Sequence, residues 1–251
     1  MTSTTRFRSA EPSHVSTLPR RFYDTVTVVE EDGVHSVRLD GRPVRTPGRA
    51  VLGMPNAGMA AAVAGEWEAQ VEHIDPRTMP ATRLANTALD GVANEMQGVK
   101  EDVVRYAGSD LICYRADGPP ALIEREAAAW DPFLDWAQTA LGANLVLAEG
   151  VMHVQQPPQA IAAISAAVGQ VDDPFQLAAL HVMTSLTGSA LIALAVLHGR
   201  TNADEAWQVA HVDEDWNIEQ WGEDDEATAL RKRREAEMRT AALFATTSRT
   251  L

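Results

Sequence analysis

Two periodicities divide this chain. In residues 22–30 (FYDTVTVVE) Val26 and Val28 alternate with polar neighbours, the period-two pattern of a strand with one face toward a core. Asp32-Gly33 and Asp40-Gly41 are turn dipeptides, because glycine accepts positive φ without steric cost. They bracket a second strand at 34–39. Pro43 and Pro47 place Val44 on an edge strand, and residues 50–52 predict one more short strand. The sum is a small antiparallel sheet.

Helical spacing follows. Met59, Val63 and Trp67 recur at i, i+4, i+8 behind Asn56, an N-cap residue, and predict a helix covering one sheet face. After the loop HIDPRTMP, punctuated by Pro76 and Pro80, every segment reads as helix. Leu84, Ala88 and Val92 form one stripe; Val99, Val103 and Tyr106 form another; Leu122, Trp130 and Phe133 belong to further helices. Asp131-Pro132 predicts a helix restart, a cap followed by proline at the first position. Asp173-Pro174-Phe175-Gln176 predicts a capping box opening a helix through Leu180, Met183 and Leu186 to about His198, where Gly199 ends it. Thr201, with Asp204 three residues on, predicts the next cap. The expected fold class is α+β: a tail over 1–19, a small β-rich domain with its covering helix over 20–82, and a larger all-helical domain over 83–251.

Composition removes several functions. The 251 residues carry a formal charge of −14, which argues against a nucleic-acid partner and against docking on an anionic membrane. Cys113 is the single cysteine, so an intrachain disulfide and a cysteine zinc cluster are excluded. It is read as a packed thiol between Ile112 and Tyr114. The apolar run 186–197 is too short to span a bilayer and reads as core. Residues 1–21 lack the apolar centre of a secretory signal; their Arg, Ser and Thr content has a weak transit-peptide character, and a frayed tail is the expectation. A reducing compartment fits: bacterial cytoplasm, which is favoured, or a mitochondrial matrix.

Candidate chemistry concentrates in residues 206–239. Between Asp213 and Glu226 lie eight carboxylates and no Lys or Arg, interleaved with Trp216 and Trp221; Arg231, Lys232, Arg233 and Arg234 follow. Phosphate-cradling glycine loops, a nucleophile elbow and a zinc-protease motif are absent from the sequence. Asp213, Asp215 and Asn217 match the first positions of a calcium loop, but Ile218 stands where glycine is needed. His211 with Asp213 and Asp215 could hold a transition metal, and Asp213, Asp215 and Glu223 could serve a carboxylate- or metal-dependent hydrolase. Solvated acidic helix ends account for the same residues; catalytic, metal and cofactor residues are expected to be none. A single helix over 204–221 would align Trp207, His211, Glu214, Ile218 and Trp221, either as a core stripe rimmed by Glu214 or as a binding face. His181 reads as a satisfied core residue, and His198 as a helix-end residue.

Four segments carry a family resemblance: MPATRLANTALDGV (79–92), YAGSDLICYRADGPPAL (106–122), WDPFLDWA (130–137) and EQWGEDDEA (219–227). In this order they resemble the ATP synthase assembly chaperones of mitochondria and some bacteria that receive the free α subunit of the catalytic head. The resemblance spans residues 20–244. It implies a β-rich domain before a helical one, no enzymatic activity, and release of the α subunit to the β subunit. It also implies an essential acid in a W-G-x-x-E pattern after Trp221-Gly222, a place taken here by Asp225 with Glu223 and Glu226 beside it. The expected partner surface is therefore Trp216, Trp221, Gly222, Glu223, Asp225 and Glu226, on a free monomer without stable membrane association.

Overall fold

The computed structural model describes residues 18–150 and 154–247; most of the expected N-terminal tail therefore lies outside the described residues. Strand β2 (Val34–Leu39) is the centre of the sheet. It pairs antiparallel with β1 (Val26–Glu31), in register from Val26 opposite Leu39 to Glu31 opposite Val34. It also pairs with the short strands β3 (Arg42–Pro43) and β4 (Gly53–Met54). Both tight turns adopt positive φ at the Asp and the Gly, at Asp32-Gly33 and Asp40-Gly41, which matches the right-handed twist of the strands they join. The last strand is displaced: 50–52 contributes only the bridge of Val51 to Arg45, and the ladder resumes at β4. Val28 stands 39% exposed on outer strand β1, so its alternation marks the strand without marking a buried face.

Helix α1 (Ala57–Glu68) covers the sheet through Met59, Ala60 and Val63, all fully buried, and Asn56 caps it by accepting from the Met59 N–H at 2.9 Å. Its Glu66 reaches across to cap α2 (Pro80–Asp90), accepting from the N–H groups of Ala81 and Thr82 (2.5 and 2.7 Å). Burial raises the Glu66 pKa despite those bonds. At the far end of α2, Asp90 accepts from Thr46 Oγ1 and the Gly48 N–H, both at 2.7 Å. Two carboxylates thus fix α2 at both its ends, Glu66 joining it to α1 and Asp90 to the 46–48 loop.

The remainder is mainly helical: α3 (Met96–Ala107), α4 (Pro120–Trp136), α5 (Pro158–Gly169), α6 (Pro174–Thr187), α7 (Ala190–Leu197), α8 (Ala203–Ala210), α9 (Val212–Trp221) and α10 (Asp225–Thr247). All eight residues of α7 are buried, and α3, α4, α6, α8 and α10 pack around it. An all-apolar sequence has no solvent face to offer, so this helix belongs at the centre.

Several expected boundaries shift for identifiable reasons. The single helix to His198 divides at Gly188-Ser189, because the Ser189 side chain accepts from the Ile192 N–H (3.0 Å) and starts α7 afresh. Asp173 does cap α6 (Phe175 N–H, 2.8 Å), but Gln176 bonds the Ala245 carbonyl instead of completing a box. Helix α8 is capped by Asn202, not Thr201, which donates to Glu205 (2.7 Å). Helix α4 runs through Pro132 without a restart: Asp131 accepts from Arg115 (2.7 Å), and Ala128, whose carbonyl the proline leaves unpaired, is exposed. The part after residue 82 is also not purely helical. Strand β5 (Tyr114–Arg115) pairs parallel with β6 (Ala148–Glu149), and one wide turn of π-helix occupies Ala137–Leu141. Among the described residues no helix is long and apolar enough to cross a membrane.

Candidate partner-binding tip

The segment expected to be one helix over 204–221 is two. His211 breaks it with φ −117° and ψ 24°, its ring lying 3.8 Å from that of Trp207 and its Nδ1 paired with the Trp207 carbonyl at 2.7 Å. Burial lowers the His211 pKa, so the ring is held neutral. Trp207 is buried and faces the core, whereas Trp221 is 86% exposed. The proposed stripe through both tryptophans therefore does not exist as one face.

Helix α9 is braced from two sides. Toward α4, Arg125 grips both oxygens of Glu219 (2.7 and 2.8 Å), and the buried Glu126 carboxyl meets Asp213. Burial, with Asp213 adding to it, pushes Glu126 up to about 7. Trp130 of α4 donates to the Val209 carbonyl (2.8 Å), fixing the preceding helix α8 as well. Toward α10, Asp215 pairs with Arg231 at 2.5 Å.

These contacts keep apart the carboxylates that the metal and hydrolase alternatives would need together. Asp213, Asp215 and Asn217 lie on a helix, whose side chains fan outward and cannot wrap an ion as a loop does. Asp213 faces Glu126, Asp215 is held by Arg231, and Glu223 projects from the exposed link, so the three do not converge. Among the described residues no group of His, Cys, Asp or Glu is arranged to hold a metal.

Between α9 and α10 lie three residues. Gly222 has φ +88° and ψ 174°, a region essentially closed to side-chain-bearing residues, and there the chain reverses out of α9. Asp224 then starts α10 by accepting from the Ala227 N–H (2.8 Å). Glu223, Asp225 and Glu226 are exposed, the last two in the first turn of α10, where the helix dipole favours negative charge. Trp216 is half-buried behind them. The six expected residues thus lie around the α9–α10 junction, where Trp221 is the most exposed large hydrophobic residue among the described residues. Leu230, 43% exposed on α10, is a further apolar member that sequence reasoning missed; its signal was a lone leucine at the edge of the basic block.

The remaining singled-out residues are structural. Cys113 is fully buried, and burial with the nearby Asp110 pushes its thiol up to about 12. His181, expected in the core, is instead half-buried beside Asp102 at 3.3 Å, and the His198 ring lies 5.7 Å from that of Trp136.

An exposed aromatic ring thus stands beside four exposed carboxylates where α9 meets α10. The pattern of the ATP12 chaperone protein family matches residues 20–138. A crystal structure of a candidate chaperone from Agrobacterium tumefaciens is 49% identical, with a TM-score of 0.86 over 91% of this chain and 85% of that one. Atp12 from Paracoccus denitrificans is 42% identical, with a TM-score of 0.81 over 90% of this chain and 97% of its own. The mitochondrial protein atp12 of Schizosaccharomyces pombe is 21% identical over 215 residues, 81% of this chain and 74% of that protein. The chain belongs to the ATP12 chaperone family, the chaperones of ATP synthase assembly.

Proposed function

We propose that this protein binds the unassembled α subunit of the F-type ATP synthase through the hairpin of Trp216, Trp221, Gly222, Glu223, Asp225 and Glu226, and yields it to the β subunit without catalysing a reaction. The observation that carries this is Trp221, 86% exposed at the end of a helix and followed at once by Glu223, Asp224, Asp225 and Glu226. A free ring of that size is the kind of anchor that supplies most of the energy of a protein interface, and the acids around it supply steering and partner choice. An unassembled subunit exposes apolar interface that aggregates unless covered. The higher identity to the two bacterial proteins favours a bacterial cytoplasm. The free chaperone is read as a monomer.

The test is the double reversal Asp225→Lys with Glu226→Lys. Among the described residues neither carboxylate pairs with the basic block; Asp215 does that. The fold should lose only the dipole interaction of the first turn, about 0.3–1 kcal/mol for each residue. Affinity for isolated α subunit should fall at least tenfold, and the variant should no longer suppress its aggregation. Wild-type affinity in the double variant would refute the assignment.

A further inference from the structure

A second surface lies farther along α10. A cavity of about 580 Å³ opens between α10 and the turn at 75–80, bounded by Arg77, Pro80, Lys232, Arg233 and Ala236. A smaller one of about 120 Å³ continues it over Leu84 and Val182, sharing Pro80 and Glu237 with the first. Together they form a groove along the α2/α10 seam, crossed by the ion pair of Arg83 with Glu237.

The formal charges of this groove leave a surplus of one cation, Arg77, Arg83, Lys232 and Arg233 standing against Glu66, Asp75 and Glu237. Its three carboxylates already have donors: Asp75 accepts from the backbone and guanidinium of Arg77 (2.7–3.1 Å), Glu237 from Arg83, and Glu66 from the start of α2. Lys232 and Arg233 are exposed and form no ion pair among the described residues. The result is an apolar-floored groove with surplus positive charge, on a chain whose formal charge is −14. Lys232 and Arg233 lie seven residues beyond Asp225 and Glu226 on the same helix, roughly 10 Å away at 1.5 Å per residue. One rigid helix therefore presents an acidic patch and then a basic one.

We propose that this groove receives an acidic segment of the same client that the tip binds, its carboxylates on Lys232 and Arg233 and an apolar side chain over Pro80, Leu84 and Val182. The proposal rests on the client reading above. Its argument is charge complementarity: two patches of opposite sign at a fixed spacing specify one orientation of the partner, which a single acidic tip does not.

Carbodiimide treatment of the wild-type complex with isolated α subunit tests it directly, since the reagent joins amines to carboxylates in contact. The expected product is an amide between Lys232 and an Asp or Glu of the client, mapped by mass spectrometry. Lys232→Glu with Arg233→Glu should weaken binding at least tenfold, flatten its salt dependence, and leave the melting temperature within about 2 °C. Affinity within twofold of wild type overturns the groove and leaves the tip standing. Coupling of Lys232 to Glu223 or Glu226 of a second copy, with dimers in sedimentation, also overturns it, because the occupant is then this chain itself. If wild-type protein does not bind the subunit at all, both assignments fall together.

Discussion

Replacing Glu126 by Gln should make the protein more stable at pH 8 and erase most of its stability loss between pH 5 and 8. Glu126 is 1% exposed, and one oxygen accepts from the Ala116 N–H at 2.9 Å. Its neighbour Asp213 has a buried Oδ1 without a hydrogen-bond donor. Two ionised carboxylates can only accept, so a proton on Glu126 supplies the donor that Asp213 lacks. Arg115 opposes this weakly, because it is paired with Asp131 (2.7 Å) and lies over the Trp130 ring (5.2 Å). Burial, reinforced by Asp213, pushes Glu126 from 4.5 to about 7. The folded state thus binds a proton that the unfolded state releases, so stability is highest below the unfolded pKa and falls as pH rises toward 7. A tenfold difference in proton affinity between the two states corresponds to about 1.4 kcal/mol, so the pair's loss is on the order of 1–3 kcal/mol, roughly 2–12 °C in melting temperature for a chain of this size. Gln keeps the acceptor toward Ala116 and donates to Asp213 at every pH. Asp110, raised to about 6 by complete burial, contributes in the same direction and persists in the variant, so some slope below pH 6 should remain. Melting curves at half-unit steps from pH 4.5 to 8.5 decide it. A variant with the wild-type profile, or one less stable at pH 8, refutes the shared proton.

Gly222→Ala meets no atom within 4 Å, so its cost is the backbone conformation alone, about 1–3 kcal/mol, and calorimetry should show a lower melting temperature. An unchanged transition would mean the hairpin tolerates another conformation there. Leu180→Ala should cost about 2–5 kcal/mol, and Leu186→Ala clearly less, because Leu180 is fully buried while Leu186 is only partly so; equal denaturant midpoints would contradict this. Cys113 should not react with a thiol reagent at pH 8 until denaturant unfolds the chain, and stoichiometric labelling of the native protein would count against its burial.

Features written in local chemistry were legible in the sequence. Asp-Gly pairs fixed both hairpin turns, Asn56 and Asp173 fixed two helix starts, and the W-G break followed by acids marked the tip. What escaped was decided by distant partners. The division at Gly188-Ser189 joins the local Ser189 cap to a distant one, Asp110, which accepts from the Leu191 N–H 81 positions away at 3.1 Å. The break at His211 depends on its ring packing against Trp207 rather than continuing a stripe. The parallel pair Tyr114–Arg115 with Ala148–Glu149 has two residues on each side, too few for any periodicity to show. Trp207 and Trp221 carry the same residue at compatible helical spacing, and only packing places one in the core and the other in water.

Helix α10 begins at the tip and ends in the interior, where Met238, Ala241, Phe244 and Ala245 are fully buried. From Glu226 to Met238 is about 18 Å of continuous helix. Its companion α9 is clamped at Glu126, Arg125 and Arg231. The tip is thus continuous, along one helix, with the middle of the molecule. On the function proposed above, a subunit seated there would leave when a competitor takes over its contacts, so its dwell time would depend on how much competitor the cell supplies.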